Sequence, residues 1–319
     1  MNVFVVISML LKYAIGEVIM RKLVEIKEQK YEYEIQCKDH ESLRRSFNKL
    51  AQKTFGIDFE QWYKEGYWGN GYITYSLIKD SNIIANVSVS IMEFLIYGEK
   101  KRYIQLGTVM TTKEYRGRGL SRFLIEEVIK EWENKCDLMY LFANGSVLDF
   151  YPKFGFTISK EYEYSRQLCE NQMRTKVEKI DLSKSDHRDK FFNIVSNAKA
   201  ISKITALNNI SLIMFYCTYI MRENIYYIEQ YHCIVIANYE NNTLYLHDVF
   251  TIKEDNLNSI IEAMKIEDIN RVVLGFVPNN IEEYEEKELH EEDTTLFIRG
   301  EKENPFQVCR LRFPELSHA

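Results

Sequence analysis

The chain is poor in the features that mark metal centres, nucleic-acid surfaces and membrane spans. Its six cysteines, Cys37, Cys136, Cys169, Cys217, Cys233 and Cys309, include no C-x-x-C pair, and its six histidines form no ligand cluster. No metal site of the usual spacing is therefore expected. Positive charge is not in excess: 41 Lys and Arg stand against 47 Asp and Glu, a net −6, which argues against a nucleic-acid partner, since phosphate contacts need concentrated basic charge. A long uncharged apolar run is also missing. The most apolar stretch, residues 1–20, is interrupted by Lys12 and Glu17 and lacks a basic start and a small-residue cleavage site, so no membrane partner is expected. Residues 1–20 read either as a hydrophobic leader or as sequence ahead of the true start. Gly16-Glu17-Val18 is encodable by a purine-rich run resembling a ribosome-binding site just before Met20, so translation is expected to begin there.

The remaining composition is that of a folded chain: 319 residues, 46% apolar and 28% charged, enough for two domains with cores of their own. Several cysteines fall inside apolar, strand-like runs, which fits reduced thiols in a cytoplasmic protein.

One stretch organises the rest. Tyr103 to Thr111 is rich in β-branched and apolar residues and reads as a strand. Leu120 to about Asn134 reads as a helix, with Leu120, Leu124, Val128 and Trp132 on one stripe. Between them lie Gly117 and Gly119, flanked by Arg116, Arg118 and Arg122. Glycine permits a sharp turn and close approach of a ligand to the backbone. The free amides and dipole at a helix N-terminus favour an anion, and the arginines add charge that can clamp phosphate oxygens. A bare G-x-G is more often an ordinary surface turn. The direct strand-to-helix junction, the flanking arginines and a second motif downstream favour an anion site.

Arg116-x-x-Gly119-x-Ser121 resembles the pyrophosphate loop of the GNAT superfamily of N-acetyltransferases, Arg/Gln-x-x-Gly-x-Gly/Ala; Ser121 departs from the pattern but is small. The approach through Val109-Met110-Thr111 is similar as well. A compact apolar run, Asp137 to Ala143, follows as a buried strand ending at Asn144-Gly145. Phe150-Tyr151-Pro152-Lys153-Phe154-Gly155-Phe156 is then similar to the family's Tyr-x-x-x-Gly-Phe. The resemblance covers about residues 103–157. It implies an α/β fold with a mixed sheet and acetyl-CoA as co-substrate. It also implies roles for single residues: Val109, Met110 and Thr111 pairing with the pantetheine and offering an amide to the thioester carbonyl; Arg116, Gly117, Arg118, Gly119, Leu120 and Ser121 holding the pyrophosphate; Asn144 holding the pantetheine arm; Tyr151 protonating the departing thiolate. The general base stays open among Glu93, the carboxylate of Ala319, His318 and a water relay. Ala319 is a candidate because multi-lobed GNAT proteins of the enhanced-intracellular-survival type use a C-terminal carboxylate.

Around this stretch, residues 22–36 read as one strand, 39–56 and 58–66 as helices, and 74–79 and 83–97 as antiparallel strands. Phe59, Trp62, Tyr63, Tyr67, Trp68, Tyr72 and Tyr75 form a dense aromatic region, read as core packing or as an acceptor pocket. Beyond a polar connector, strands at 225–228, 233–239 and 243–251, a helix at 255–264 and a strand at 271–278 repeat the earlier order, with Val249 lying 140 residues after Val109. This suggests an internal repeat. Its Ile252-Lys253-Glu254-Asp255-Asn256 has no glycine and carries acids, so the second copy is expected not to bind coenzyme A. Glu282 to Asp293 reads as a solvated acidic face. The expectation is therefore a leader at 1–20, a catalytic lobe at 21–170 and a degenerate GNAT-like lobe at 186–319, with oligomerisation possible. The expected activity is transfer of an acetyl group to a primary amine; the alternative is an inactive coenzyme-A-binding sensor or scaffold.

Overall fold

The computed structural model describes residues 8–9, 21–169, 175–253, 257–300 and 304–319; the leader expected at 1–20 lies almost entirely outside them. The first half runs β1 (Ser8–Met9), β2 (Lys22–Ile26), β3 (Gln29–Ile35), α1 (Glu41–Phe55), α2 (Glu60–Lys64), β4 (Tyr72–Lys79), β5 (Asn82–Ile96), β6 (Glu99–Thr111), α3 (Leu120–Trp132), β7 (Leu138–Ala143), β8 (Thr157–Ile158) and β9 (Tyr162–Gln167). The second half runs β10 (Val177–Lys179), α4 (Ser185–Ser196), β11 (Ile204–Leu207), α5 (Ile210–Phe215), β12 (Ile225–Ile228), β13 (Cys233–Glu240), β14 (Thr243–Thr251), α6 (Leu257–Met264), β15 (Arg271–Leu274), β16 (Glu285–Glu288), β17 (Thr295–Arg299) and α7 (Pro305–Val308).

Local chemistry explains most of these elements. On α1, Leu43, Phe47, Leu50 and Ala51 recur at helical spacing and are buried, and Gly56 stops the helix in the left-handed region at φ 74°. On α3, Leu120, Leu124, Ile125, Val128 and Trp132 form the buried stripe. The single strand expected over 22–36 is a hairpin instead. Its two-residue turn, Lys27-Glu28, takes φ 49° and 64°, the pair of left-handed residues that suits a twisted hairpin. Neither residue is Gly or Asn, so the turn leaves no signal in the sequence.

Two mixed sheets result. The first has the order β1-β2-β3-β4-β5-β6-β7-β17-β8, with β11 added along β5; the second has the order β10-β12-β13-β14-β15-β9-β16. From β3 onward the second matches the first position by position, including one parallel pair in each, β6 with β7 and β14 with β15. The expected repeat is thus present in strand order. The lobes also exchange strands. β17, from the second half, lies between β7 and β8, with Leu296 opposite Phe142 and Phe297 opposite Ile158. β9, from the first half, lies between β15 and β16. The boundaries 21–170 and 186–319 therefore mark chain order and not sheet membership.

The aromatic region is a core. Phe59, Trp62, Trp68 and Tyr72 are buried around Phe47 and Met110, and Phe215 of α5 enters the cluster from the second half, stacking on Phe59 at 5.4 Å. Trp62 Nε1 donates to Ser211 O at 2.7 Å. These residues fasten the two halves together, which overrides the acceptor-pocket reading. The acidic run is likewise not simply solvated: Glu283 pairs with Arg166 at 3.7 Å, Glu288 with Lys160 at 2.6 Å and Glu291 with Arg312 at 3.2 Å. Among the described residues, no helix is long and apolar enough to cross a membrane.

Because Phe215 is buried in a core built by both halves, Phe215→Ala is expected to cost about 3–5 kcal/mol. Urea unfolding of the whole chain measures this, and a loss under about 1 kcal/mol would contradict the docking role.

Candidate active site

The loop between β6 and α3 is tied at both ends. Thr111 Oγ1 and Ser121 Oγ lie 2.7 Å apart, and Arg116 Nε donates to Thr111 O at 3.2 Å. Gly117 and Gly119 take φ 76° and 87°, where a side chain is strained. The Phe123 amide donates to Gly119 O at 3.0 Å as the first turn of α3 closes. The amides of Leu120, Ser121 and Arg122 precede it, have no partner within the helix and aim outward at its positive end. Arg116, Arg118 and Arg122 are all exposed there. The structure adds a cation that sequence reasoning missed: Lys27, in the β2–β3 turn, donates from Nζ to Gly117 O at 3.2 Å. It is 90 residues away in sequence, and nothing in the sequence links the two.

Beside this loop the first sheet opens. β6 and β7 pair only from Tyr103–Leu138 to Gln105–Tyr140. Next comes a bulge in β6, where Ser88 and Asn86 face Gly107 and Met110. Thr108, at φ 47°, is held there by Tyr72 OH at 2.6 Å and by the Asn86 side-chain amide at 3.1 Å. Val109, Met110 and Thr111 continue past it without a ladder partner on the β7 side. The Met110 side chain is buried in the aromatic core, and Val109 packs under α3. Asn144 sits at the end of β7; its Oδ1 accepts from Ser146 N and Oγ, capping a short turn, while its amide nitrogen makes no bond among the described residues. Tyr151 is buried against Phe150, Phe156 and, from the exchanged strand β17, Phe297 at 5.8 Å. Its hydroxyl has no hydrogen-bond partner among the described residues, and burial pushes its pKa up to about 12, so it stays protonated at neutral pH.

The end of the chain enters the same opening. The Phe313 amide donates to Glu161 Oε1 at 2.8 Å, Asn209 Nδ2 donates to Leu316 O at 3.1 Å, and Tyr216 OH donates to His318 O at 2.7 Å. Buried Gln105 holds Ala319 at two points, accepting from its amide at 2.9 Å and donating to its oxygen at 3.0 Å. A methyl group on Gly107 would stand 2.7 Å from that oxygen, so glycine is required for the approach. The other base candidates fare differently. Glu93 lies three residues from Ser90, the partner of Gln105; that odd separation puts it on the opposite face of the sheet, roughly 10 Å along the strand. There it is half exposed and pairs with Arg102 at 3.7 Å. His318 is not the exposed residue expected of a near-terminal histidine. Its ring stacks on Phe142 at 3.9 Å, and burial, together with Arg312, lowers its pKa to about 3, too weak a base to hold a proton at neutral pH.

Residues 27–159 match the family model described as an acetyltransferase (GNAT) domain. Residues 27–159 thus carry a domain of the GNAT type. No curated protein matches the sequence significantly. Among solved structures the fold is similar to a GCN5-related N-acetyltransferase from Kribbella flavida (14% identity, TM-score 0.54, covering 84% of this chain and 71% of that one). It is also similar to a protein of unknown function from Enterococcus faecalis, described as a probable N-acyltransferase (14%, 0.52, 84% and 72%), and to Eis1 from Mycobacterium abscessus (10%, 0.52, 83% and 72%). At such identities the likeness is one of fold. The domain match supports an acyltransferase in general.

The buried neutral His318 generates a test of tail docking. Between pH 6.5, its ordinary pKa, and about 3 in the fold, the unfolded chain binds a proton that the folded chain refuses. The His318 contribution to stability is thus complete above about pH 6.5 and is lost as pH falls toward 3. His318→Phe keeps a ring on Phe142 and removes that proton uptake. Urea unfolding at pH 7 and pH 4.5 is expected to show a smaller acid loss in the variant than in wild type; equal losses would contradict a buried His318.

Proposed function

We propose that this protein is an acetyl-CoA-dependent N-acetyltransferase that acts on a primary amine by direct transfer. The observation that carries the reading is the opening between β6 and β7, with the glycine–arginine helix start at one end and Ala319 beside Gly107 at the other. The outward amides of Leu120–Arg122 and the guanidinium groups of Arg116 and Arg118 suit a pyrophosphate. The backbone of Val109–Thr111, which has no ladder partner on the β7 side, suits an amide-bearing pantetheine arm, to which the free amide nitrogen of Asn144 adds a donor.

In the proposed reaction the neutral amine attacks the thioester carbonyl, whose oxygen takes negative charge and is stabilised by a backbone amide of Val109–Thr111. The new C–N bond forms and the C–S bond breaks. The Tyr151 hydroxyl gives its proton to the departing sulfur. With Ala319 as the last residue, its carboxylate, gripped by Gln105, accepts the proton released from the amine. A cytoplasmic setting, with its supply of acyl thioesters, fits this reading.

Release of free thiol from acetyl-CoA in the presence of a panel of primary amines tests the proposal. Tyr151→Phe is expected to lower kcat by about 10²–10⁴ while leaving acetyl-CoA affinity nearly unchanged. Appending one glycine after Ala319 should likewise reduce kcat, because the carboxylate moves off Gln105. Thiol release that is indifferent to both changes would remove these residues from the mechanism. Binding without release by wild type would make the protein an inactive coenzyme-A binder.

A further inference from the structure

The second lobe opens in the same way as the first. β14 and β15 pair only through Leu246 and Leu274, and beyond that point Asp248–Thr251 run without β15. Two segments cross the gap. Lys199 N donates to Thr251 O at 2.8 Å and Lys203 N to Val277 O at 2.9 Å, so residues 199–203 bridge its two sides. From the other direction Glu315 N donates to Gly275 O at 3.0 Å, and Glu315 Oε2 reaches His247 Nδ1 at 2.9 Å. Beside β14, between residues 198–210 and the tail, lies a cavity of about 360 Å³, lined among others by Asp248, Ser202, Asn209, Leu316 and Ser317.

Asp248 is the anomaly in that cavity. Its Oδ1 accepts from the neighbouring Val249 amide at 2.8 Å, and it has no ion-pair partner among the described residues. Lys199 also lines the cavity but is exposed and does not pair with it. Burial, with a smaller push from the second carboxylate, Glu315, raises the Asp248 pKa to about 7. A half-buried carboxylate without a counter-charge weakens the fold, and nothing in the first lobe's chemistry uses it. Acid at the base of the slot also repels a phosphate, so the occupant is not a coenzyme.

We propose that the cavity beside β14 is a binding site for a small organic cation, with a primary ammonium or guanidinium group held by the Asp248 carboxylate. At ~30 Å³ per water-sized group, the space admits on the order of ten non-hydrogen atoms. The side-chain carbonyl of Asn209 and the hydroxyls of Ser202 and Ser317 supply polar walls, and Leu316 and Val249 supply apolar ones. The site shares Asn209, Leu316 and Ser317 with the tail that carries Ala319, but cation binding there does not depend on acyl-transfer chemistry.

Calorimetric titration with n-butylammonium and n-butylguanidinium chloride, with butan-1-ol as the neutral control and no acyl-CoA present, tests the proposal. Wild type is expected to bind at least one cation saturably at one site, at least tenfold more tightly than the alcohol. Asp248→Asn keeps an acceptor for the Val249 amide and removes the charge; it should weaken cation binding at least tenfold. Ala206→Leu, which narrows the cavity without touching the carboxylate, should weaken it as well, with circular dichroism verifying that both variants fold. Absence of saturable binding by wild type overturns the proposal. So does binding that survives Asp248→Asn at wild-type affinity, which would locate the cation elsewhere.

Discussion

Backbone hydrogen bonds from β17 to β7 and β8 close the first sheet, and those from β9 to β15 and β16 close the second. Each lobe thereby takes an inner strand from the other half of the chain. Without β17, the edge of β7 would present unpaired amides and carbonyls to solvent, and Tyr151 would lose the Phe297 ring on which it packs. Phe215, buried among Phe59 and Trp62, fastens the halves at a second place. The two lobes are thus parts of one folding unit, although each has the strand order of a complete sheet.

The same threading explains why similar openings have different contents. In the first lobe the gap beyond Gln105 and Tyr140 receives the segment that runs to Ala319, and Gly107 leaves room for that residue. In the second lobe the gap beyond Leu246 and Leu274 is crossed by residues 199–203 and by Glu315. There Gly275 is hemmed in, since an added methyl would meet His247 O at 2.5 Å and Glu315 Oε2 at 2.8 Å. A pantetheine arm would find backbone already engaged. The expected absence of a phosphate loop after β14 concerns Ile252–Asn256, of which residues 254–256 lie outside the described ones; Ile252 and Lys253 bring no glycine to the turn.

What the sequence reveals is local. The Gly117–Ser121 loop is legible because its backbone conformation demands glycine and its charges are adjacent in sequence, and α1, α3 and the repeated strand order follow from periodicity. Long-range pairings leave no such trace. Thr295-Leu-Phe-Ile-Arg299 alternates like any short strand, and alternation fixes which side chains share a face but not which strand is the neighbour. Glu93 is a candidate base by its position near the central strand, yet its parity along β5 puts it on the face opposite Gln105 and Ala319. Lys27 and Gln105 were invisible for the same reason, since their roles rest on partners 90 and 214 residues away.

The central claim is that the Gly117–Ser121 helix start holds the coenzyme of an acyl-CoA. Calorimetric binding of acetyl-CoA to wild type and to Gly119→Asp tests it most directly. The substitution sets a carboxylate where the phosphates are expected, at a residue whose φ of 87° disfavours any side chain. The account predicts binding by wild type and at least a tenfold loss in the variant, with the fold intact by circular dichroism. Failure of wild type to bind, or equal affinity in both proteins, would contradict it.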